Sequence, residues 1–128
     1  MITENIYDDL IESLTRSFNE LTEILKSLGN ETRIKIMIFL LHGPQSYSSI
    51  VEETNLKKTA VSNHLSQLIN TKLIERGDYG IYKISGDGLA FIKSIKKAYQ
   101  MSPTRQIIKF EALQRRSVSR SFLNRFSQ

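Results

Sequence analysis

The residues best suited to specific chemistry lie between Leu56 and Ile69, where short polar side chains fill the positions between regularly spaced apolar ones. Thr59, Ser62 and Asn63 carry hydroxyl or amide groups, which both donate and accept hydrogen bonds. Because Thr, Ser and Asn are poor helix formers, their concentration on one side of a helix indicates a surface that contacts a partner. The major groove of DNA admits one helix, and such side chains can reach base edges there. A polar face without a partner is the alternative for this segment taken alone.

A helix must position these side chains, and its apolar spacing defines which face is free. Val61, Leu65 and Leu68 recur at i, i+4 and i+7, so they form one stripe of a helix. The polar residues then share the other side, namely Lys58, Thr59, Ser62, Asn63 and Ser66.

A second, shorter helix is predicted just before this one. Ser46 or Ser48 can cap a helix that ends near Thr54, and a tight turn leads from it into the polar-faced helix. Two helices in this arrangement form a helix-turn-helix. Residues 75–84 follow as two short strands about a glycine-flanked turn, which predicts a hairpin. The expected fold is mainly α with a small β-hairpin.

Apolar stripes elsewhere predict further helices. Residues 4–28 form one long helix or two collinear ones, residues 31–42 a central helix capped by Asn30, and residues 87–100 an amphipathic helix. Pro103 suits the first turn of a last helix, which leads into a basic tail. The first stripe can pack on its own domain or on a partner chain. Because a lone winged helix has too little core to cover both this stripe and the stripe at residues 89–99, we expect a symmetric dimer built on N- and C-terminal dimerisation helices.

Composition and charge bound the class of protein. The 128 residues suit one domain with extensions, and the absence of cysteine excludes disulfides and thiolate metal sites. Residues 1–28 carry a net charge of −4 and the remainder +9, so the body of the chain suits a polyanion or an anionic membrane surface. The acidic start is unlike a signal peptide, and no apolar stretch approaches a membrane span. We therefore expect a cytoplasmic protein with no membrane association.

Motifs for catalysis are missing from the sequence. It contains no nucleophile elbow, no H-E-x-x-H motif and no P-loop. The acidic pairs at residues 8–9 and 52–53 are adjacent in sequence, so their members point in different directions on a helix and cannot act as an acid–base pair. We expect no enzymatic activity and no cofactor.

Three segments resemble parts of the ArsR-type winged-helix transcriptional regulators. Residues 28–36 are similar to their second-helix signature, and residues 56–65 to the recognition-helix pattern L-S-x-S-x-V-S-x-H-L. Residues 81–88 look like the end of the wing and the start of the last helix, a pattern that MarR-like proteins share. The resemblance extends over residues 20–100. It implies a winged helix-turn-helix that binds double-stranded DNA as a homodimer and regulates transcription.

Three departures from the family pattern limit this inference. Metal-sensing members use Cys, or Asp and His pairs, on the third or last helix, whereas residues 47–54 and 89–99 contain neither Cys nor His, so we expect no metal site. The capping Ser of the family is replaced by Lys57, which removes a cap and adds a charge near the phosphates. Asp78 stands at the tip of the wing, where phosphate would repel it, so we do not expect this wing to enter the minor groove.

The polar face and the resemblance together define the expected DNA-binding residues. Thr59, Ser62 and Asn63 are placed nearest the bases. The residues placed nearer the phosphates are Lys57, Lys58, His64, Arg76 and Lys83. Residues 1–28 are assigned to dimerisation, 29–100 to the DNA-binding domain, and 101–128 to a C-terminal helix and basic tail.

Other functions remain open at this level. A winged helix can also serve protein–protein contacts or bind nucleic acid without sequence preference. Binding of single-stranded RNA is disfavoured because the polar face lacks interleaved aromatic side chains. The basic tail suits a solvated end, a phosphate-contacting arm, a dimer contact or a linker. The sequence identifies no small-molecule or protein effector.

Overall fold

The apolar stripes of the sequence form helices that are joined by short connections. The computed structural model describes residues 5–126, with side chains for residues 5–117, and within this range the chain has seven α-helices and three strands. These are α1 (Asp8–Arg16), α2 (Phe18–Leu28), α3 (Glu31–Leu40), β1 (Gln45–Ser46), α4 (Tyr47–Thr54), α5 (Lys58–Asn70), β2 (Ile74–Arg76), β3 (Ile81–Ile84), α6 (Gly86–Gln100) and α7 (Pro103–Phe126). The chain divides into two units, one up to Leu89 and one from Ala90. The first four residues of the N-terminal segment and the side chains of the basic tail from residue 118 lie outside the described residues.

The core of the first unit is built mainly from α3, α4, α5 and the sheet. Its buried apolar side chains are Leu28, Ile36, Met37, Leu40, Ile50, Val61, Leu65, Leu68, Leu73, Ile74 and Tyr82. Burial of one Leu or Ile side chain contributes about 1.5–3 kcal/mol. The prediction that α3 is a central helix is confirmed, although Ile38 and Leu41 stay 50% and 45% exposed. The helix also ends at Leu40, two residues before the predicted end at His42.

Polar side chains begin the two helices that lead to the candidate site. Asn30 caps α3, because its side-chain oxygen accepts a hydrogen bond of 3.0 Å from the backbone N–H of Arg33. Ser46 caps α4 by accepting a bond of 3.1 Å from the backbone N–H of Ser49. Both caps are predicted from the sequence, and of the two serine candidates the structure selects Ser46 rather than Ser48.

The predicted hairpin is confirmed and belongs to a larger sheet. Strands β2 and β3 are antiparallel, with Glu75 opposite Lys83. Strand β1 pairs with the other edge of β3, with Ser46 opposite Ile81, which gives the order β1-β3-β2. The third strand is not predicted from the sequence, because two residues carry no readable alternation and their partner lies far along the chain.

Gly88 allows the start of α6 to approach both the segment between α5 and β2 and the end of β3 closely. A Cβ atom at position 88 would lie 2.0 Å from the carbonyl oxygen of Leu73 and 3.0 Å from Cγ1 of Ile84. Beside it, the buried Ser85 hydroxyl accepts a bond of 2.9 Å from the Gly88 N–H and donates one of 2.6 Å to the Lys72 carbonyl. The start of α6 is thus fixed to the chain that leads into β2.

The N-terminal stripe forms two helices, α1 and α2, which are divided at Ser17. Most of its apolar side chains are uncovered, since Leu10, Ile11, Leu14, Phe18 and Leu25 are between 45% and 60% exposed. We call these five residues the N-terminal apolar surface. In contrast, Ser27 and Leu28 at the end of α2 are buried, so this end is anchored in the first unit.

The second unit contains most of α6 and the helix α7. As predicted, α7 begins at Pro103, and Ser102 accepts a bond of 3.0 Å from the backbone N–H of Arg105. The predicted stripe on α6 stays largely uncovered at its end, where Ile95 and Tyr99 are 43% and 61% exposed. No helix within residues 5–126 has the length and apolar character needed to span a membrane.

Candidate nucleic-acid interface

Helices α4 and α5 form the predicted helix-turn-helix. Three residues separate them, and the first, Asn55, has φ = 53° in the left-handed region. Asn tolerates this conformation better than most residues do, because its short side chain can bond locally. The left-handed backbone at Asn55 ends α4 and changes the direction of the chain before α5 begins.

The two faces of α5 separate as the sequence predicts. Val61, Leu65 and Leu68 are at most 2% exposed and pack in the core of the first unit. The side chains on the opposite face are exposed, namely Lys58, Thr59, Ser62, Asn63 and Ser66, and Lys57 just before the helix is exposed as well. Lys57 is the N-cap residue of α5 and makes no side-chain capping bond. Five of the eight predicted site residues therefore lie together at the start of this helix.

The hydroxyl of Tyr47 in α4 forms hydrogen bonds with the start of this polar face. It donates a bond of 2.7 Å to the backbone carbonyl of Lys58 and lies 2.8 Å from Oγ of Ser62. A phenol has a single proton, so the Ser62 hydroxyl must be the donor in the second bond. Ser62 therefore retains only acceptor capacity toward a partner. The sequence places Tyr47 on the inner face of α4 but gives no sign of this hydroxyl contact.

His64 lies on the flank of α5 and is partly buried, unlike its exposed neighbour Asn63. Its Nδ1 atom is 3.3 Å from Nη1 of Arg33, a residue of α3. Burial, and then the positive charge of Arg33, lower the pKa of His64 below its usual 6.5. Protonation of the imidazole is therefore disfavoured at this position, which favours the neutral ring. The sequence treats His64 as an ordinary member of the site and does not identify Arg33.

A second set of polar contacts joins α2 to the far half of α5. The hydroxyl of Ser27 is fully buried, accepts a bond of 3.2 Å from Nε2 of Gln67 and forms a hydrogen bond of 3.1 Å with Oγ1 of Thr71. Buried polar contacts of this kind cost free energy when they are broken, so they fix the position of one helix against another. The orientation of α5 is therefore coupled to the end of α2.

The two predicted bases of the hairpin lie apart from the start of α5 in sequence and both have intramolecular partners. Nζ of Lys83 is 3.3 Å from Oε2 of Glu75, its cross-strand neighbour, and both side chains are more than half exposed. The guanidinium of Arg76 lies 6.0 Å from the centre of the Tyr82 ring. Exposed ion pairs are weak, at about 0–1 kcal/mol, so Lys83 can exchange Glu75 for another anion.

The tip of the hairpin is aromatic as well as acidic. Tyr79 follows Asp78, is 99% exposed and adopts φ = 59°, which is uncommon for a bulky residue. The exposed aromatic tip is not predicted from the sequence, although Gly77 and Gly80 indicate the turn. Elsewhere, among the residues that the structure describes, no cluster of three or more His, Cys, Asp or Glu side chains could hold a metal ion.

Comparisons with known proteins agree with this geometry. The family described as "Bacterial regulatory protein, arsR family" matches residues 30–76, which run from the cap of α3 to the end of β2. A search of curated protein sequences finds no significant match.

Several solved structures share the fold. HlyU from Vibrio cholerae is 25% identical, with a TM-score of 0.56 over 65% of this chain and 95% of that chain. The transcriptional repressor BigR from Xylella fastidiosa is 20% identical, with a TM-score of 0.56 over 71% of this chain and 94% of that one. A homodimeric winged helix-turn-helix DNA-binding domain from Mycobacterium bovis, a possible ArsR-family regulator, is 20% identical, with a TM-score of 0.58 over 81% and 95% of the two chains.

The family match falls on the segment in which the sequence resembles ArsR-type regulators, and the solved structures share its arrangement of helices and wing. The resemblance is therefore confirmed: residues 30–76 match the model of the arsR family of bacterial regulatory proteins, and the chain shares the winged helix-turn-helix fold of these solved structures.

Proposed function

We propose that this protein is a sequence-specific regulator of transcription that binds double-stranded DNA as a homodimer. The observation that carries the proposal is the exposed polar face of α5, which the buried stripe of Val61, Leu65 and Leu68 holds outward. In this proposal α5 lies in the major groove, where short polar side chains read the edges of the bases. The role is regulatory rather than enzymatic, in keeping with the family description.

The roles of individual residues follow from their positions. Thr59 and Asn63 are exposed on the free face and lie nearest the bases, while Ser62 offers an acceptor beside them. The residues that contact the phosphate backbone are Lys57, Lys58, His64, Arg76 and Lys83. Phosphate contacts hold the protein on the duplex, and base contacts select the sequence.

Dimerisation places two copies of α5 on one duplex. The N-terminal apolar surface is uncovered in the single chain, and a second copy of the same surface would remove it from water. A related structure from Mycobacterium bovis is described as homodimeric, which supports this arrangement. In the proposed dimer the recognition helices are about 34 Å apart, or one turn of DNA. Residues 1–28 supply this contact, residues 29–100 bind DNA, and residues 101–128 form a helix with a basic tail.

The experiment that tests the proposal is selection of bound sequences from random duplex DNA. We expect enrichment of a two-fold symmetric site, since a symmetric dimer reads two equivalent half-sites. Single-stranded DNA and an acidic protein serve as competitors, and neither should displace the selected duplex. If the selection enriched no duplex and the protein bound the acidic protein instead, the proposal would be contradicted. That result would favour a winged helix that serves protein contacts. We place the protein in the cytoplasm, where a regulator of bacterial transcription meets its DNA.

A further inference from the structure

Arg33 is a partly buried cation, and all three nitrogen atoms of its guanidinium have partners within the first unit. Nε donates a bond of 2.8 Å to the carbonyl of Ser27, and Nη2 donates one of 3.0 Å to the carbonyl of Lys26. The remaining Nη1 lies 3.3 Å from Nδ1 of His64. The last carbonyls of α2 therefore hold the guanidinium in one orientation against the flank of α5.

This contact determines which nitrogen of His64 carries the proton. A guanidinium is always protonated and has no acceptor, so in a bond with Arg33 the Nδ1 atom of His64 must accept. The neutral imidazole then carries its hydrogen on Nε2. Among the side chains of residues 5–117, no partner is bonded to that Nε2 atom. The ring therefore keeps one unused donor, which points away from Arg33.

The position of His64 on the flank of α5 indicates what its Nε2–H group could bind. His64 directly follows the exposed Asn63 and lies between the free polar face and the buried stripe. When a helix lies in the major groove, residues on its flanks face the sugar–phosphate walls rather than the base edges. Phosphodiester oxygens accept hydrogen bonds from neutral and charged donors alike.

We propose that Arg33 is a positioning residue for DNA binding, which holds Nδ1 of His64 as an acceptor and so presents its Nε2–H to a phosphodiester oxygen. The inference rests on the proposed function and deepens it, since it assigns the chemistry of one phosphate contact. This contact is neutral, in contrast to those of Lys57 and Lys58. It releases no counterion, so it contributes to affinity without contributing to the salt dependence of binding.

The tautomer is tested first, in the free protein without DNA. Long-range proton–nitrogen NMR correlations at a pH above the His64 titration distinguish the two neutral forms of the ring. We expect the form protonated on Nε2 in the wild-type protein, and a mixture of both forms in Arg33→Met, which keeps much of the apolar stem. A wild-type ring protonated on Nδ1 would overturn the inference.

The DNA contact is tested with two amide replacements that leave Arg33 in place. His64→Gln puts a donor near the position of Nε2, whereas His64→Asn puts its amide near Nδ1. We expect His64→Gln to bind the preferred duplex within about threefold of the wild type, and His64→Asn to bind at least about tenfold more weakly, the cost of losing one bond to a charged acceptor. Both should keep the salt slope of the wild type.

The outcomes separate this inference from the function on which it rests. If the wild type bound duplex DNA but the two amide variants bound it equally well, the positioning role would be wrong and the DNA-binding function would stand. A lower salt slope in both variants would also overturn the inference, because it would mean that His64 binds phosphate as a cation. If the wild type bound no duplex DNA, the proposed function would fail and the phosphate contact with it. Thermal unfolding of each variant identifies any loss of folded protein.

Discussion

The hydroxyl of Tyr47 lies 2.8 Å from Oγ of Ser62 and 2.7 Å from the carbonyl of Lys58. One side chain of α4 thus contacts the first two turns of α5, at the backbone of Lys58 and at the predicted site residue Ser62. The free polar face of α5 is therefore held from the inner side by a residue that need not touch a ligand itself.

Tyr47→Phe should remove both hydrogen bonds of the Tyr47 hydroxyl without creating a cavity. We expect the free energy of unfolding to fall by about 0.5–1.5 kcal/mol, the usual net contribution of a hydrogen bond, and binding to duplex DNA to weaken. Urea unfolding measures the first effect. Tyr79→Phe is the matched control, because the Tyr79 side chain is 99% exposed and its hydroxyl should not contribute to stability. Equal stability of the two variants would show that the Tyr47 contact is dispensable.

Asn63→Ala should reduce sequence selectivity. An Asn amide can pair with the N6 and N7 edge of adenine, so its loss should cost about 1–3 kcal/mol on the preferred duplex and little on a scrambled one. Lys57→Ala should weaken binding to both duplexes alike, because a phosphate contact carries no sequence information. Titration of both variants against both duplexes measures the difference. Equal weakening of both duplexes by Asn63→Ala would move base reading to Thr59 or Ser62.

Leu14→Asp combined with Phe18→Asp should dissociate the proposed dimer. These side chains are 45% and 60% exposed in the single chain, so a charge there is tolerated by the monomer but not within an apolar contact between two copies. Light scattering at micromolar concentration gives the mass of the particle. Leu41→Asp is the control, since Leu41 is also 45% exposed but lies outside the N-terminal apolar surface. A wild-type protein that is monomeric in this measurement would contradict the prediction.

The affinity for duplex DNA should fall steeply with salt. The lysines at the start of α5, the bases of the hairpin and part of the tail allow a dimer to contact roughly 6–10 phosphates, which gives a log–log slope of about −5 to −9. Fluorescence anisotropy over a range of salt concentrations measures the slope. Deletion of residues 115–128 tests the tail separately, and an unchanged slope would assign the tail to packing or to a linker. If the affinity of the full chain were nearly independent of salt concentration, its basic residues would not contact DNA phosphates.

The stability of the protein should decrease as His64 becomes protonated. The pKa of His64 is lowered in the folded protein, first by burial and then by Arg33, so the unfolded chain binds the proton more readily. The stabilisation is complete above the unfolded pKa of about 6.5 and is lost progressively as the pH falls toward the lower folded pKa. Urea unfolding of the wild type and His64→Gln across this window is the measurement. His42 is exposed in both proteins, and a parallel decline of the two would exclude His64 as the cause.

Local patterns predict much of this fold because their physical causes are local. The caps at Asn30 and Ser46 need only a short polar side chain before an apolar run. The buried stripe of α5 needs only helical spacing, and its free face follows from that stripe.

Contacts between distant residues are not visible in such patterns. Nothing local pairs Gln45 with Tyr82 across the sheet, and nothing local brings Arg33 against His64, which is 31 residues away. The same limit affects Lys83, which the sequence presents as a free base and the structure pairs with Glu75.

The close approach at Gly88 has a consequence for how this sequence can vary. A single added methyl group would lie 2.0 Å from the Leu73 carbonyl, the group that accepts the Ser85 N–H at 3.1 Å, so every other amino acid must separate the chain there. At Gly86 an added Cβ meets no atom within 4 Å. Substitution of glycine by any other residue is therefore sterically excluded at position 88, whereas position 86 has room for a larger side chain.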